Sequence, residues 1–421
     1  ISAMDESLGR HPHVECFNRR GMMKIWIGQF DEAIADFKKA LALDSNSVFL
    51  YLGLGNAQSA KGLHLDADQA FSKALDLDPK NPRVYICRGY HRQIQRRLDE
   101  AEADFSKAIE LDSTSAEAYF DRGAVRAKLR RFKEAIDDYS RALKLKPQLA
   151  AGYYNRGNAK LAIDQNEEAI DDYTEAMNLE ENHSQAYTNR GVAKAKLGKP
   201  GAEDDFTKAI ERDPKNAIAH FSLGNVKLLR NLPKEALSHY SDALKANPRY
   251  PDAWFARGQV YHSQDQLDLA LTDFKSVVDL NPRHAEALAN IGDIMKTKEK
   301  LDEGIDYCTK AIDLDSRLPE PVLNRAIMRE VKGNLDGAES DYRKAVELYP
   351  PGSQRERAQQ GLVSVQAARP FFQGISLIRE QQFSQAIEKF KKVTEILPET
   401  EQAGIAAYHI AHCHALLKDK N

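Results

Sequence analysis

Cysteine is sparse. Cys16, Cys87, Cys308 and Cys413 are the 4 cysteines of a 421-residue chain, and no two stand at a metal-ligand or disulfide-framework spacing. Thiols scattered in this way fit a reducing compartment better than a disulfide-stapled secreted domain. Long hydrophobic runs are also missing. No stretch of about 18 apolar residues occurs, and the opening ISAMDESLGR has no apolar signal core. Neither a membrane span nor a secretion signal is therefore expected, and the cytoplasm is the predicted location. Charge of one sign is lacking too: 60 Lys and Arg face 63 Asp and Glu, a formal net charge of −3. The whole-chain field thus gives no reason to expect nucleic acid or an anionic membrane as partner. Finally, there is no Gly-rich phosphate loop, no nucleophile elbow and no metalloprotease helix. The chain is read as no enzyme, with no cofactor.

What the chain does have is a unit of about 34 residues repeated in altered form, clearest at 116–149, AEAYFDRGAVRAKLRRFKEAIDDYSRALKLKPQL. In its second half Phe132, Ala135, Ile136, Tyr139, Ala142 and Leu143 recur at helical spacing, so one face is apolar. Its first half lines up Ala118, Tyr119, Gly123 and Ala127, where the small Gly123 lets a partner helix lie close, as does Ala135 opposite. Each unit is predicted to be a helical hairpin. A lone hairpin leaves part of each stripe uncovered, so copies must stack on both sides.

Laid over itself at that period, the chain aligns Gly21, Gly55, Gly89, Gly123, Gly157, Gly191, Gly224, Gly258 and Gly292 in successive first helices. The second helices align Ala33, Ala67, Ala101, Ala135, Ala169, Ala202, Ala236 and Ala270, each followed by an aromatic, from Phe37 and Phe71 to Tyr240 and Phe274. A proline such as Pro79, Pro147, Pro214, Pro248 or Pro282 often closes the unit. On these residues the chain resembles the tetratricopeptide repeat family. The resemblance implies an all-α fold, a right-handed superhelical solenoid of stacked hairpins. It also implies a protein-interaction scaffold whose inner, first-helix wall holds extended segments of a protein or peptide partner. Two alternatives stay open: the repeat region of a larger enzyme that recruits substrates, and an architectural subunit of a large assembly.

Ten units are expected over 14–352 after a lead-in at 1–13, the sixth (184–216) being one residue short at the turn Lys199-Pro200-Gly201. The period breaks after Tyr349-Pro350-Pro351-Gly352, and residues 353–366 read as a helical insertion because Ala358, Leu362 and Val365 are helix-spaced. An eleventh unit is predicted at 367–400, with Pro370 kinking or restarting the helix. Residues 401–421 follow as a partial unit or capping helix. This C-terminal part is a candidate for self-association.

By resemblance to the inward places of the family, the partner-binding residues are Asn155, Asn189, Asn290 and Asn324, preceded by Phe120, Tyr154, Phe221 and Phe255. An asparagine amide donates to and accepts from a peptide backbone at once, and aromatics add contact area at low entropic cost. The column is similar to the asparagine ladder in the repeat region of O-GlcNAc transferases, interrupted here by Cys87, Asp121, Ser222 and Ala256. The carboxylate clamp of the chaperone adaptors is not met: Asn158 and Asn189 match, but Tyr154, Ile218 and Ser222 stand where basic residues belong.

Two other clusters are read as structural. His409, His412, Cys413 and His414 could offer zinc ligands one turn apart, but a terminal amphipathic helix accounts for them and no metal is assigned. The cations Arg83, Arg88, Arg92, Arg96, Arg97, Arg122, Arg126, Lys128, Arg130 and Arg131 are read as a solvated, partly paired surface rather than an acidic-peptide or phosphate-binding face. A further regularity supports pairing. Arg20, Arg88, Arg122, Arg156, Arg190, Arg257 and Arg325 go with Asp36, Asp104, Asp138, Asp172, Asp205, Asp273 and Asp341, whereas units with Leu54, Leu223 or Ile291 carry Ala70, His239 or Tyr307 instead. Joint loss predicts a charge-assisted bond between the two helices of a hairpin.

Overall fold

The computed structural model describes residues 13–418, so the lead-in, apart from His13, lies outside the described residues. Those residues form 23 α-helices. The chain divides into two compact units, residues 1–222 and 223–421.

In the first unit six hairpins follow one another: α1 (Val14–Trp26) with α2 (Phe30–Leu43), α3 (Val48–Lys61) with α4 (His64–Leu77), α5 (Pro82–Ile94) with α6 (Leu98–Leu111), α7 (Ala116–Lys128) with α8 (Phe132–Leu145), α9 (Ala150–Ala162) with α10 (Asn166–Leu179), and α11 (Ser184–Lys196) with α12 (Ala202–Arg212). The division between the units falls within α13 (Ala217–Leu229). The second unit continues with α14 (Pro233–Ala246), then α15 (Pro251–Ser263) with α16 (Leu267–Leu280), α17 (Ala285–Thr297) with α18 (Leu301–Leu314), and α19 (Pro319–Val331) with α20 (Leu335–Leu348). It closes on α21 (Ser353–Arg379), α22 (Phe383–Ile396) and α23 (Glu401–Lys418). Within each unit a second helix packs on the next first helix, and first helices such as α3 and α5, or α17 and α19, also touch one another.

The fourth hairpin shows how sequence makes the element. Ser115 Oγ accepts the Ala118 N–H at 3.2 Å and starts α7. Arg130, in the left-handed region at φ 62°, turns the chain back into α8. Between hairpins an Asp or Asn accepts the N–H two residues on, as Asp112 does from Thr114 at 2.9 Å. Gly123 of α7 faces Ala135 and Tyr139 of α8, while Ala118 and Val125 on the same helix pack with Ala101, Phe105 and Ala108 of α6. A Cβ at Gly123 would stand 3.0 Å from the Tyr139 ring, and one at Gly157 only 2.8 Å from Tyr173. The recurring glycine is thus the space the recurring aromatic occupies. In the sixth hairpin the missing residue unwinds the start of the second helix: α12 has 11 residues where its neighbours have 14, and Gly198 and Gly201 take left-handed conformations in the widened turn.

All seven arginine–aspartate pairs form. In each, Arg Nε and Nη2 donate to the two oxygens of the aspartate at 2.5–3.0 Å. The seven carboxylates are 2–4 % exposed. Burial of this kind requires that the charge be met, and in six of the seven it is met twice. Lys24, Arg92, Arg126, Lys160, Lys194 and Arg329, one turn beyond the arginine, reach the same carboxylates at 2.7–3.0 Å. The remaining guanidinium nitrogen ties the hairpin to the one before it, through Ser106, Ser140, Thr174, Ser241 or Thr309 at 3.0–3.2 Å. An aromatic one turn earlier, such as Tyr85, Tyr119 or Trp254, carries the guanidinium on its face.

The end of the second unit departs from expectation at Pro370. Helix α21 runs 27 residues and continues through the proline with no restart. It joins residues 353–366 to the first helix of the hairpin that follows. Both halves are held by burial: Ala358, Leu362 and Val365 pack with Tyr342 and Tyr349, while Ala367, Phe371 and Ile375 pack with Phe390 and Val393. With both halves fixed, the carbonyl that Pro370 leaves without a donor does not break the helix. No helix among the described residues is long and apolar enough to cross a membrane.

Candidate functional site

The first helices meet through a set of polar rungs whose partners lie 31 residues apart. Asn56 Nδ2 donates to Cys87 Sγ at 3.8 Å, Asn189 Nδ2 to Asn158 Oδ1 at 2.8 Å and Asn324 Nδ2 to Asp293 Oδ1 at 3.1 Å. Tyr90 and Asp121 occupy the same two places on the pair of first helices between. The residue types change from rung to rung, but the geometry is one: a side chain past the middle of one first helix meets a side chain just before the middle of the next.

The expected partner-binding residues fall on this wall with different surroundings. Asn189 donates to its rung and to the Tyr154 hydroxyl at 3.3 Å. The Tyr154 ring lies 6.0 Å from Tyr173 and 4.5 Å from His183, whose Nδ1 caps α11 by accepting the Ala186 N–H. Phe120 lies against Tyr139 at 5.7 Å. Asn155 and Phe221 are half-buried on α9 and α13. In the second unit Phe255 repeats the Tyr154 arrangement, 5.7 Å from Phe274 and 4.8 Å from His284, the cap of α17. Asn290 Nδ2 donates to the Glu286 carbonyl of its own helix at 2.8 Å. Asn324 is 9 % exposed.

Three of the eight, Phe255, Asn290 and Asn324, line a single groove of about 480 Å³ formed by α15, α17, α19 and the start of α21. At its centre is Asp293, which meets His262 Nε2 at 3.2 Å, Lys296 Nζ at 2.6 Å and the Asn324 amide. Lys296 also reaches Asn324 Oδ1 at 2.5 Å. The His262 contact, and then Lys296, hold the Asp293 carboxyl well below the usual carboxylate range despite its burial. Glu286 and Glu320 stand exposed on the rim at the starts of α17 and α19, and Gln354 and Arg357 of α21 close the far end. His262, Gln259, Asp293, Lys296 and Arg357 were not singled out from sequence. The usable signal was the 31-residue offset that places Asp293 opposite Asn324.

In the first unit a carboxyl at the other end of its rung behaves in the opposite way. Asp121 is 4 % exposed and its Oδ2 has no hydrogen-bond partner. Burial pushes its carboxyl up to about 7, against the hydrogen bond from Tyr90, and Glu117 nearby adds to the rise. The basic cluster is paired in part: Arg97 holds Glu100 and Asp68, while Arg126 and Arg131 share Glu102. At the C-terminal end, His409 stacks on Phe390 at 5.0 Å and Cys413 is fully buried in the same core.

Tetratricopeptide-repeat models match residues 116–149, 229–276, 50–81, 150–183 and 285–317, and a model described as TPR repeat matches 27–62. Among solved structures the chain is similar to YrrB, "a TPR protein with an unusual peptide-binding site", at 28 % identity over 45 % of this chain and 97 % of that one, with a TM-score of 0.40. It is also similar to the P58(IPK) TPR domain (18 % identity, 84 % and 97 % covered, TM-score 0.36) and to yeast Tom70 (16 % identity, 96 % of each chain, TM-score 0.35). A comparison with curated proteins found no match. Matched along both units and built from the same hairpin throughout, the chain belongs to the tetratricopeptide repeat family.

Proposed function

We propose that the chain is a protein-interaction scaffold whose groove at Phe255, Asn290 and Asn324 takes an extended peptide segment of a partner. The observation that carries this reading is convergence: side chains from three consecutive first helices line one concave space. Its volume falls in the range of roughly 300–1,000 Å³ typical of ligand sites. Phe255 supplies a rigid ring, and Gln259 and Asn290 supply amides that donate and accept along a peptide backbone. Asp293 is fully compensated by its own neighbours, so it shapes the floor rather than attracting charge. The exposed carboxylates at the rim, Glu286 and Glu320, favour a basic side chain at that end, and Arg357 favours an acidic one at the other.

The test is a phage-displayed random peptide library selected on the full chain, followed by binding of the enriched peptides to Phe255→Ala and Asn290→Ala. Loss of binding with an unchanged melting temperature is the expected result. Peptides that bind both variants as well as the parent would place the interaction elsewhere.

A further inference from the structure

Helix α23 has one face in the core of the second unit and the opposite face open. Ala406, Ile410, Cys413 and Leu417 pack into the cluster around Phe390. Gly404, Ala407, Ala411 and Ala415 lie on the other side and are exposed, and Tyr408 among them is 67 % exposed. No Asp, Glu, Lys or Arg stands between Glu401 and Lys418, the two ends of the helix. Loss of charge from a surface that also bears an exposed aromatic is the composition of a buried interface centre.

The relief of this face is the reverse of an ordinary first helix. In the other first helices a glycine, or Ala326 in the tenth, leaves room for the second helix to approach, as Gly374 does for the Phe390 ring. At that place of the period α23 carries Tyr408. Where α5, α7 and α15 carry Tyr85, Tyr119 and Trp254, it carries Gly404, at which a Cβ would meet nothing within 4 Å. Ala407 and Ala411 take the places of Arg122 and Arg126. A second helix of the usual kind does not fit here, because its aromatic would meet the Tyr408 ring and its aspartate would find no cation. The tyrosine is braced by its own helix, nearly parallel to His412 at 6.3 Å and edge-on to His409 at 5.6 Å.

We infer that this face is the interface of a homodimer, in which two copies of the chain meet antiparallel along α23. Charge selects that occupant. Glu401 is exposed at the start of the helix and Lys418 at its end, so an antiparallel copy sets each Glu401 against Lys418 of the other copy, whereas a parallel copy sets like against like. The same register sets Gly404 against Ala415 and Tyr408 against Ala411, so each ring enters the gap that small side chains leave in the other helix. The contact is isologous, with its two-fold axis at the middle of the helix. The opposed helix dipoles favour the same orientation. A helix of 18 residues is about 27 Å long, so the interface is small and the dimer dissociates readily. The face is separate from the groove at Phe255, and the two proposals stand or fall independently.

The experiment is sedimentation equilibrium of the full chain from about 1 to 300 µM, where a monomer–dimer equilibrium with a Kd of roughly 10–100 µM is expected. Ala411→Glu sets a carboxylate against each Tyr408 ring and should weaken the dimer roughly a hundredfold with an unchanged circular dichroism spectrum, since Ala411 is exposed. Glu401→Lys alone should weaken it about tenfold, because symmetry repeats the like-charge contact, and Glu401→Lys with Lys418→Glu should return it to the parent value. A chain that stays monomeric at the highest concentration would overturn the proposal and assign the face to a different protein. A dimer untouched by Ala411→Glu would overturn it by placing the contact elsewhere, and a double exchange that fails to restore the dimer would overturn the antiparallel register. The charge exchange keeps the test decisive if Ala411→Glu alters the fold.

Discussion

The hairpins at 116–149 and 285–318 share a backbone and differ in almost everything that fills it. In the first, Arg122 and Asp138 form a bidentate pair and Tyr139 lies on Gly123. In the second, the pair's places hold the buried Ile291 and the half-buried Tyr307, the aromatic has become the buried Cys308, and the alanine opposite has become Gly304. The lost volume is returned by a neighbour: Met328 of the next hairpin, itself fully buried, sits where a Cβ on Gly304 would be, 2.5 Å from its sulfur. Pair and aromatic are thus replaceable modules, provided the volume and the charge are both balanced.

The sharpest way to break that comparison is to remove half a module. Arg122→Leu copies one side of an unpaired hairpin into a paired one and leaves Asp138, 3 % exposed, with Arg126 as its remaining cation. The loss should be about 3 kcal/mol, near the lower end for breaking a buried pair. Adding Asp138→Ala should recover most of it, because the stranded charge goes too. Urea denaturation of the two single variants and the double variant gives the coupling, and additive losses would show the pair to be two independent surface preferences. Next in size is Met328→Ala, which withdraws the compensation beside Gly304 and should cost about 2–3 kcal/mol, within the range for large-to-small core changes. A second substitution, Gly304→Ala, should partly restore the melting temperature in that background while destabilising the parent.

Much of this was legible before the structure. The 34-residue register alone set the small Gly123 opposite Ala135 across the hairpin, and joint presence or absence revealed the arginine–aspartate pairs, because those contacts lie within a unit and recur with unchanged residue types. The rungs between first helices were not visible in the same way. They link neighbouring units, and their members change from asparagine and cysteine to tyrosine and aspartate to two asparagines, so no residue type marks them. The second cation on six of the seven aspartates was hidden because Lys and Arg alternate at a position that also reads as ordinary helix surface. Pro370 misled for a different reason: its local preference to interrupt a helix was outweighed by burial on both sides of it.

The two hairpins also invert the sense of a pH dependence. Asp121 in the folded chain titrates near 7, above its unfolded value, so it burdens the fold as pH rises from about 4 through 7. Asp293 is held below its unfolded value, so its contribution is present above about pH 4 and is lost as pH falls further. Asp121→Asn should therefore raise the melting temperature at pH 8, by roughly 1–2 kcal/mol of stability once relaxation is allowed for, and change little at pH 4. Asp293→Asn should lower it at pH 7 and flatten the acid limb. Melting curves of both variants between pH 3 and 8 check the signs, and parallel profiles for the two would show that the carboxyls do not differ.

The smallest effect concerns the one feature the two hairpins share without change, the turn between their helices. Arg130 and Glu299 occupy it with φ of 62° and 58°, where the second and tenth hairpins have Gly62 and Gly333. A side chain in the left-handed region costs about 1–2 kcal/mol. Glycine avoids that cost but loses about 0.5–1 kcal/mol through the greater freedom of its unfolded chain. Neither turn residue makes a core contact that would tip the balance. Arg130→Gly and Glu299→Gly should each stabilise by no more than about 0.5–1 kcal/mol, and by the same amount. Equal small rises in melting temperature would show that the backbone is common where the filling is not. A rise in one hairpin and a fall in the other would mean that the different fillings have strained the turns differently, and the modules would then not be interchangeable.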